Sequence, residues 1–327
     1  MLAWLLLCLV QPPSAPTASV IALTGKESWP EVLQLLQRTG NSVTDARLNT
    51  QPLSLQLTAG SYRFWELIDL VCQQASLQAR MRDSSVELLE TEGPRRHWVA
   101  YDGPWRAQLL RQSIIRFDNP ALDRLVLQWE VVVEPRFVPL LLELKRTQVT
   151  GLPASTSSGS VSYDGEWSRT VEVRLSAPPR SMLRLEKLSI EAQAWVAPGL
   201  LRFTTPLQKN AETTTKETRF RIQQLESITA NRTLELATEL LYPPGSLDWE
   251  SHQARLLGSM RLALVKGKER LTTSERDIRT DAGRSITARW LFRQAPASFR
   301  DWQVELVAPA APVQVPLRFD FGPMELP

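Results

Sequence analysis

Apolar and polar residues alternate along most of the latter two-thirds of the chain. The stretch "RLVLQWEVVVEP" (124–135) sets Leu125, Leu127, Trp129, Val131 and Val133 on one side and a mixed set on the other, which is the two-residue period of a half-buried strand. The same period recurs in "TVEVRLSAPP" (170–179), "KLSIEAQAWVAPG" (187–199), "TRFRIQQLES" (218–227) and "RTLELATELLYPPG" (232–245). It continues in "SMRLALVKG" (259–267), "ITARWLF" (286–292), "WQVELVAP" (302–309) and "VQVPLRFDF" (313–321). Each run is bounded by Pro, Gly, Ser or Asp at spacings suited to a sandwich. Two polar tracts, 151–168 and 205–219, read as long loops, and the second sets a domain boundary near residue 212.

Before residue 92 the period is different. Ser28 with Glu31 three residues on forms a capping-box pattern, Pro30 stands in the first turn, and Gly40 supplies a left-handed stop, so a helix is predicted over 29–39. Leu53, Leu55 and Leu57 alternate as a strand, Gly60 and Ser61 break it, and Phe64, Leu67, Ile68, Val71, Cys72 and Ala75 recur at helical spacing. "LQARMRD" and "VELLE" flank Asp83, Ser84 and Ser85 as a hairpin. Aligning "PEVLQLL" (30–36) with "WELIDLV" (65–71) gives an internal repeat of two small αβ units. The expected arrangement is one shared sheet with both helices on one face. The predicted fold class is therefore α+β: an N-terminal αβ domain (20–92), then two antiparallel, immunoglobulin-like β-sandwich domains (94–212 and 213–327).

The pattern of 20–90, carried by "SWPEVLQLLQRTGNSV" and "LSLQLTAGSYRFWELIDLVCQQASLQARMRDSSVELLE", resembles the short N-terminal domain of secretins and TonB-dependent receptors. That resemblance implies binding of a partner protein through 20–92 and no catalysis. Neither a membrane barrel nor a secretin pore segment follows it. With "HWVAYDGPWRAQL", "LQWEVVVEPRFVPLLLEL", "SLDWESHQARLL" and "VQVPLRFDFGPMELP", the layout also resembles secreted bacterial proteins that join such a unit to β domains. This second likeness implies an architecture and no activity.

The first residues hold an apolar run from Leu2 to Val10 followed by prolines and small residues. Its length suits a signal-peptide core and falls short of the roughly 20 residues that span a bilayer. Residues 1–18 are thus expected to be removed on export to the periplasm, cell envelope or exterior, and no later stretch reads as a transmembrane helix. Cleavage would leave Cys72 as the single thiol, turned inward on its helix, with no internal disulfide.

Composition adds exclusions. The chain is 43% hydrophobic and 22% charged, so most of its length should fold; its net charge of +3 is scattered and lacks the basic patch of a nucleic-acid binder. With two histidines, His97 and His252, an imidazole-based zinc site is nearly excluded. Asp248, Glu250 and His252 would share a strand face and could hold a divalent ion, but alternating polar residues are the ordinary solvated side of a strand. Glu130 with Glu134, or Asp164 with Glu166, are carboxylates of the kind a glycosidase uses, and nothing in their spacing distinguishes them. No phosphate-cradling loop occurs, and Asn231 heads a glycosylation triplet that has no meaning if the source is bacterial, as the resemblance implies. No catalytic, cofactor-binding or metal-ligating residue is assigned. Of the 11 tryptophans, Trp129, Trp195 and Trp290 fall inside strand patterns as core, while Trp105, Trp167 and Trp249 lie near turns and are expected to be partly exposed, where indoles could stack on a glycan. The sequence therefore supports an exported, non-enzymatic, protein-binding or structural module. Glycan binding is the alternative, with a hydrolase of unrecognised site behind it.

Overall fold

The computed structural model describes residues 16–48, 51, 53–91, 98–150, 159–228, 232–244, 246, 257–280, 283–293, 295 and 298–327. The expected signal peptide, His97, the Asp248–Glu250–His252 group, Trp249 and Asn231 lie wholly or mainly outside those residues. Strands dominate, with two α-helices among the described residues. The chain forms two compact units, one of residues 16–196 and 315–327 and one of residues 197–314. The second unit is thus an insertion in the first. Residue 212, where the polar tract suggested a boundary, lies within the second unit.

The first unit begins with β1 (Val20–Leu23), α1 (Trp29–Arg38), β2 (Ser42–Asp45), β3 (Gly60–Arg63), α2 (Phe64–Ala75), β4 (Leu77–Arg82) and β5 (Ser85–Glu90). Helix α1 starts where the capping box placed it: the Glu31 carboxylate accepts from the Ser28 N–H and hydroxyl, both at 2.7 Å. Helix α2 ends on Ser76 in the left-handed conformation, φ 54°. The strands form two sheets, β1-β3 and β2-β5-β4, where the repeat predicted one. Residues 53–58 are not a strand, and Gly60 and Ser61, expected to be a break, open the strand Gly60–Arg63. The cause is a substitute partner: the Gln74 side chain of α2 accepts from the Gln56 N–H (2.8 Å) and donates to the Gln56 carbonyl (3.0 Å), satisfying the main chain without a ladder. Val32, Leu36, Phe64, Leu67, Ile68, Val71 and Leu88 are fully buried in one core with Val132.

The unit continues with β6 (Val99–Asp102), β7 (Trp105–Ile115), β8 (Arg124–Val133), β9 (Val138–Val149), β10 (Gly159–Ser162), β11 (Ser168–Ser176), β12 (Arg184–Leu185) and β13 (Leu188–Ala197). Strand β10 lies inside the polar tract read as a loop, and it pairs with β9. Two four-stranded sheets result, β11-β8-β7-β6 and a second containing β10-β9-β13. The odd residues Leu125 to Val133 of β8 are buried as predicted.

The second unit holds β14 (Leu200–Pro206), β15 (Glu212–Thr215), β16 (Thr218–Ile228), β17 (Thr233–Leu241), β18 (Arg261–Lys266), β19 (Glu269–Thr272), β20 (Glu275–Thr280), β21 (Ser285–Phe292) and β22 (Gln303–Pro309). Its sheets are β14-β22-β18-β19 and β15-β16-β17-β21-β20. Strand β15 lies in the other polar tract, as the outer half of a hairpin with β16. Phe203 of one sheet meets Phe220 of the other at 5.7 Å, and the buried Tyr242 hydroxyl donates to the Pro309 carbonyl at 2.9 Å.

The chain then returns to the first unit in β23 (Val313–Phe321) and β24 (Met324–Glu325). Strand β23 pairs beside β13 and completes the order β10-β9-β13-β23. Phe321 stacks on Trp129 with ring centroids 4.1 Å apart, joining the two sheets face to face. This mostly β architecture is compatible with a β-sandwich.

Candidate functional site

A concavity of about 580 Å³ in the first unit lies against α2, β4 and β6. Its two walls are the outer strands of two different sheets, since β4 ends the order β2-β5-β4 and β6 ends β11-β8-β7-β6. In an antiparallel ladder only alternate residues bond the neighbouring strand. The Thr91 N–H donates to the Ser76 carbonyl, and Gln78, Arg80 and Arg82 follow in the same phase opposite β5. The main-chain groups of Leu77, Ala79 and Met81 therefore point away from β5. On β6 the Leu109 N–H bonds the Trp98 carbonyl, so Ala100 and Asp102 face β7 and the main chain of Val99 and Tyr101 turns to the open side. Leu77, Ala79, Val99 and Tyr101 line the groove.

The polar side chains at its floor are engaged with one another. Arg106 of β7 grips Asp69 of α2 with two hydrogen bonds, Nε to Oδ2 and Nη2 to Oδ1, both 2.8 Å. The Tyr101 hydroxyl donates to Asp69 Oδ2 at 2.6 Å. The Arg106 guanidinium carbon lies 5.7 Å from the Trp65 ring centroid, and the Trp65 N–H donates to the Pro104 carbonyl. Burial opposes the charge on Arg106, which is 4% exposed, but the adjacent Asp69 carboxylate outweighs it and the pKa is raised. Burial first, and the Asp69 charge second, push the Tyr101 hydroxyl upward. The same two causes push the Cys72 thiol up to about 12. This wall holds a saturated ion pair, a neutral phenol and an unreactive thiol.

A second polar cluster joins the N-terminal segment to the sheet. Glu134, at the end of β8, is 0% exposed. Its carboxylate accepts from the Ser19 N–H (2.7 Å), the Ser19 hydroxyl (2.5 Å), the Asn41 amide (3.1 Å) and Arg136 Nε (2.9 Å). Asn41 Oδ1 in turn accepts from the Arg136 N–H at 3.1 Å. Both carboxylate oxygens are engaged, Oε1 by the Ser19 N–H and Oε2 by the other three donors, so the cluster is a structural joint.

The other carboxylates weighed from the sequence lie outside the groove. Glu130 accepts from the Ser168 hydroxyl at 2.6 Å, and Asp164 and Glu166 pair with Arg169 at 3.5 and 2.9 Å. Among the described residues no three His, Cys, Asp or Glu side chains come together as a metal site. No helix there is long and apolar enough to cross a membrane. Trp129 and Trp290 are core as expected and Trp195, expected with them, is half-buried, whereas Trp105 (0%) and Trp167 (8%), expected to be partly exposed, are buried. Trp167 is held by its N–H to the Phe137 carbonyl, and Trp105 lies against Tyr163 with centroids 6.3 Å apart. Their neighbouring turns are short enough that the indoles fold back between the sheets, which removes two of the three tryptophans that suggested glycan stacking.

Sequence reasoning missed Asp69, Tyr101 and Arg106. Asp69 sits on the polar side of an amphipathic helix, and nothing local marks a partner 37 residues away. Compared with known protein families, curated proteins and solved structures, the chain shows no match.

Proposed function

We propose that the chain is an exported, non-enzymatic cell-envelope protein that binds another protein or serves as a structural module, with 20–92 acting like the short N-terminal domain of secretins and TonB-dependent receptors and the β units as immunoglobulin-like sandwiches. The observation that carries this reading is the groove between β4 and β6, whose rims turn the main chain of Leu77, Met81, Val99 and Tyr101 away from their own ladders while Arg106, Asp69 and Tyr101 at its floor are taken by one another. Such a groove suits the addition of an extended strand, in which backbone hydrogen bonds give affinity and alternate side chains give selectivity.

The test uses the full chain and the variant Met81→Pro. Proline deletes one outward N–H of β4 without touching the β5 ladder, and an outer strand tolerates it. Pull-downs from envelope extract are scored for protein and polysaccharide. A protein retained by the wild type and lost by a folded Met81→Pro variant supports the reading. Retention of polysaccharide instead, or of the same protein by both chains, refutes it.

A further inference from the structure

A second surface lies on the β11-β8-β7 sheet, on the same outer face that α2 covers further up. At the covered end, Val132 belongs to the core of α2 and Arg106 holds the Asp69 carboxylate of that helix. The other half of the face is open and encloses a groove of about 370 Å³ lined by Arg111, Arg124, Arg174, Ile115, Phe117 and their neighbours.

A β-bulge creates this half. The β7–β8 register shifts between Leu109 and Arg111: Arg106 and Gln108 oppose Val132 and Glu130, and beyond the shift Arg111, Ser113 and Ile115 oppose Gln128, Val126 and Arg124. Without the extra residue, Arg111 would turn into the buried layer with Leu109. With it, Arg111 emerges on the face that carries Arg106. The bulged residue, Leu110, is left 52% exposed.

Three guanidinium groups line the open groove against one carboxylate, Glu172. Glu172 is taken by Arg174 at 2.7 Å, and Arg124 reaches the Ala121 and Asp123 carbonyls. Arg111 has no hydrogen-bond or ion-pair partner among the described residues. Beside these cations, Ile115 and Phe117 are about half exposed, at 45% and 50%. Arginine with apolar neighbours is the combination that α2 answers at the covered end, where the Asp69 carboxylate stands at the border of the helix's buried face, beside Trp65 and Cys72.

We propose that this open half docks an acidic amphipathic helix of a partner protein, with Arg111 taking a carboxylate as Arg106 takes Asp69, and Ile115 and Phe117 receiving its apolar side chains. Charge complementarity sets the sign of the occupant, and the apolar flank distinguishes a peptide from a purely polyanionic ligand.

The probe is a fluorescein-labelled synthetic helix with glutamates four residues apart and leucines beside them, compared with its lysine counterpart by anisotropy on the full chain. The acidic peptide is expected to bind at least about tenfold more tightly than the lysine peptide and to weaken with salt. Arg111→Glu, an exposed change whose fold is checked by circular dichroism, should cost about tenfold or more, as should Ser113→Glu in the groove. Phe117→Ala should weaken binding without altering its salt dependence. No binding of the acidic peptide, equal binding of the two peptides, or binding unchanged by Arg111→Glu and Ser113→Glu overturns the proposal. So does Arg111-dependent binding of heparin or phosphatidylglycerol vesicles that the acidic peptide does not displace.

Discussion

Glu134→Ala tests how firmly the N-terminal segment is tied to the β-sheet. The substitution removes a carboxylate that is 0% exposed and leaves the Ser19 N–H and hydroxyl facing a void, while the Asn41 amide keeps the Ser19 and Thr39 hydroxyls as acceptors. Arg136, whose side chain is 30% exposed, recovers hydration, so its share of the loss is small. Breaking a buried charge pair by deleting one partner costs about 3–5 kcal/mol, and each stranded buried donor about 1–3 kcal/mol. Since these overlap, an aggregate near 4 kcal/mol is expected, a large part of the ~5–15 kcal/mol that holds a domain folded. Two compact units need not unfold together, so the measurement should be local. Native-state hydrogen exchange followed at the Ser19 and Phe64 amides is suitable, because the Phe64 N–H bonds the Ser19 carbonyl. Glu134→Gln keeps one acceptor oxygen and should cost about 2 kcal/mol. A double-mutant cycle with Asn41→Ala should give a coupling of about 1–3 kcal/mol. Exchange protection that falls by less than about 1 kcal/mol in Glu134→Ala, or additive effects in the cycle, would refute the joint.

Asp69→Ala should destabilise α2 and β6 by about 3–5 kcal/mol by stranding the buried Arg106, whereas the double change Asp69→Leu with Arg106→Met should be more stable than either single variant, read by urea unfolding. Cys72 should label in the folded chain about a thousandfold more slowly at pH 8 than in denaturant, since its pKa rises from 9.0 to about 12. Because the folded-state value is the higher, its contribution to stability is complete below about pH 9 and is lost as pH climbs toward about 12, and Cys72→Ala should remove that part of the alkaline slope. Gly25→Ala should cost more than Gly40→Ala in melting temperature: both have positive φ, 82° and 84°, but a Cβ at Gly25 would sit 2.9 Å from the Ala59 nitrogen while the nearest atom to one at Gly40 is 4.0 Å away.

What the sequence disclosed was whatever a short window can encode. The alternation around Trp129 or Leu306 records one face buried against another sheet, and the Ser28–Glu31 pair records a helix start, so these elements were legible. Residues 53–57 show the limit: alternating leucines predict a strand, but the ladder partner there is the Gln74 side chain. Strands β10 and β15 went unseen for the converse reason, since each is polar and is specified by the neighbour it pairs with. Both polar clusters depend on distant contacts, 37 residues from Asp69 to Arg106 and 115 from Ser19 to Glu134. The bulge beside Leu110 is equally silent, because "QLLRQSII" reads as continuous strand until the register with β8 is known.

The insertion of residues 197–314 between β13 and β23 has a consequence during synthesis. When β13 leaves the ribosome, the sheet that will become β10-β9-β13-β23 has one flank bare, and Trp129 lacks the ring of Phe321 that will later cover it. At ordinary elongation rates the roughly 120 intervening residues take about 6–24 s to make. For that interval the nascent first unit carries a naked strand edge and an uncovered indole, while the inserted unit has every strand of its own two sheets already translated by the time β23 arrives. The order of completion is therefore inside-out: the later-encoded unit can mature first, and the earlier-encoded one waits on the final segment. A chaperone that shields β13 on the ribosome would act on this waiting period, and truncation ahead of Val313 would make it permanent.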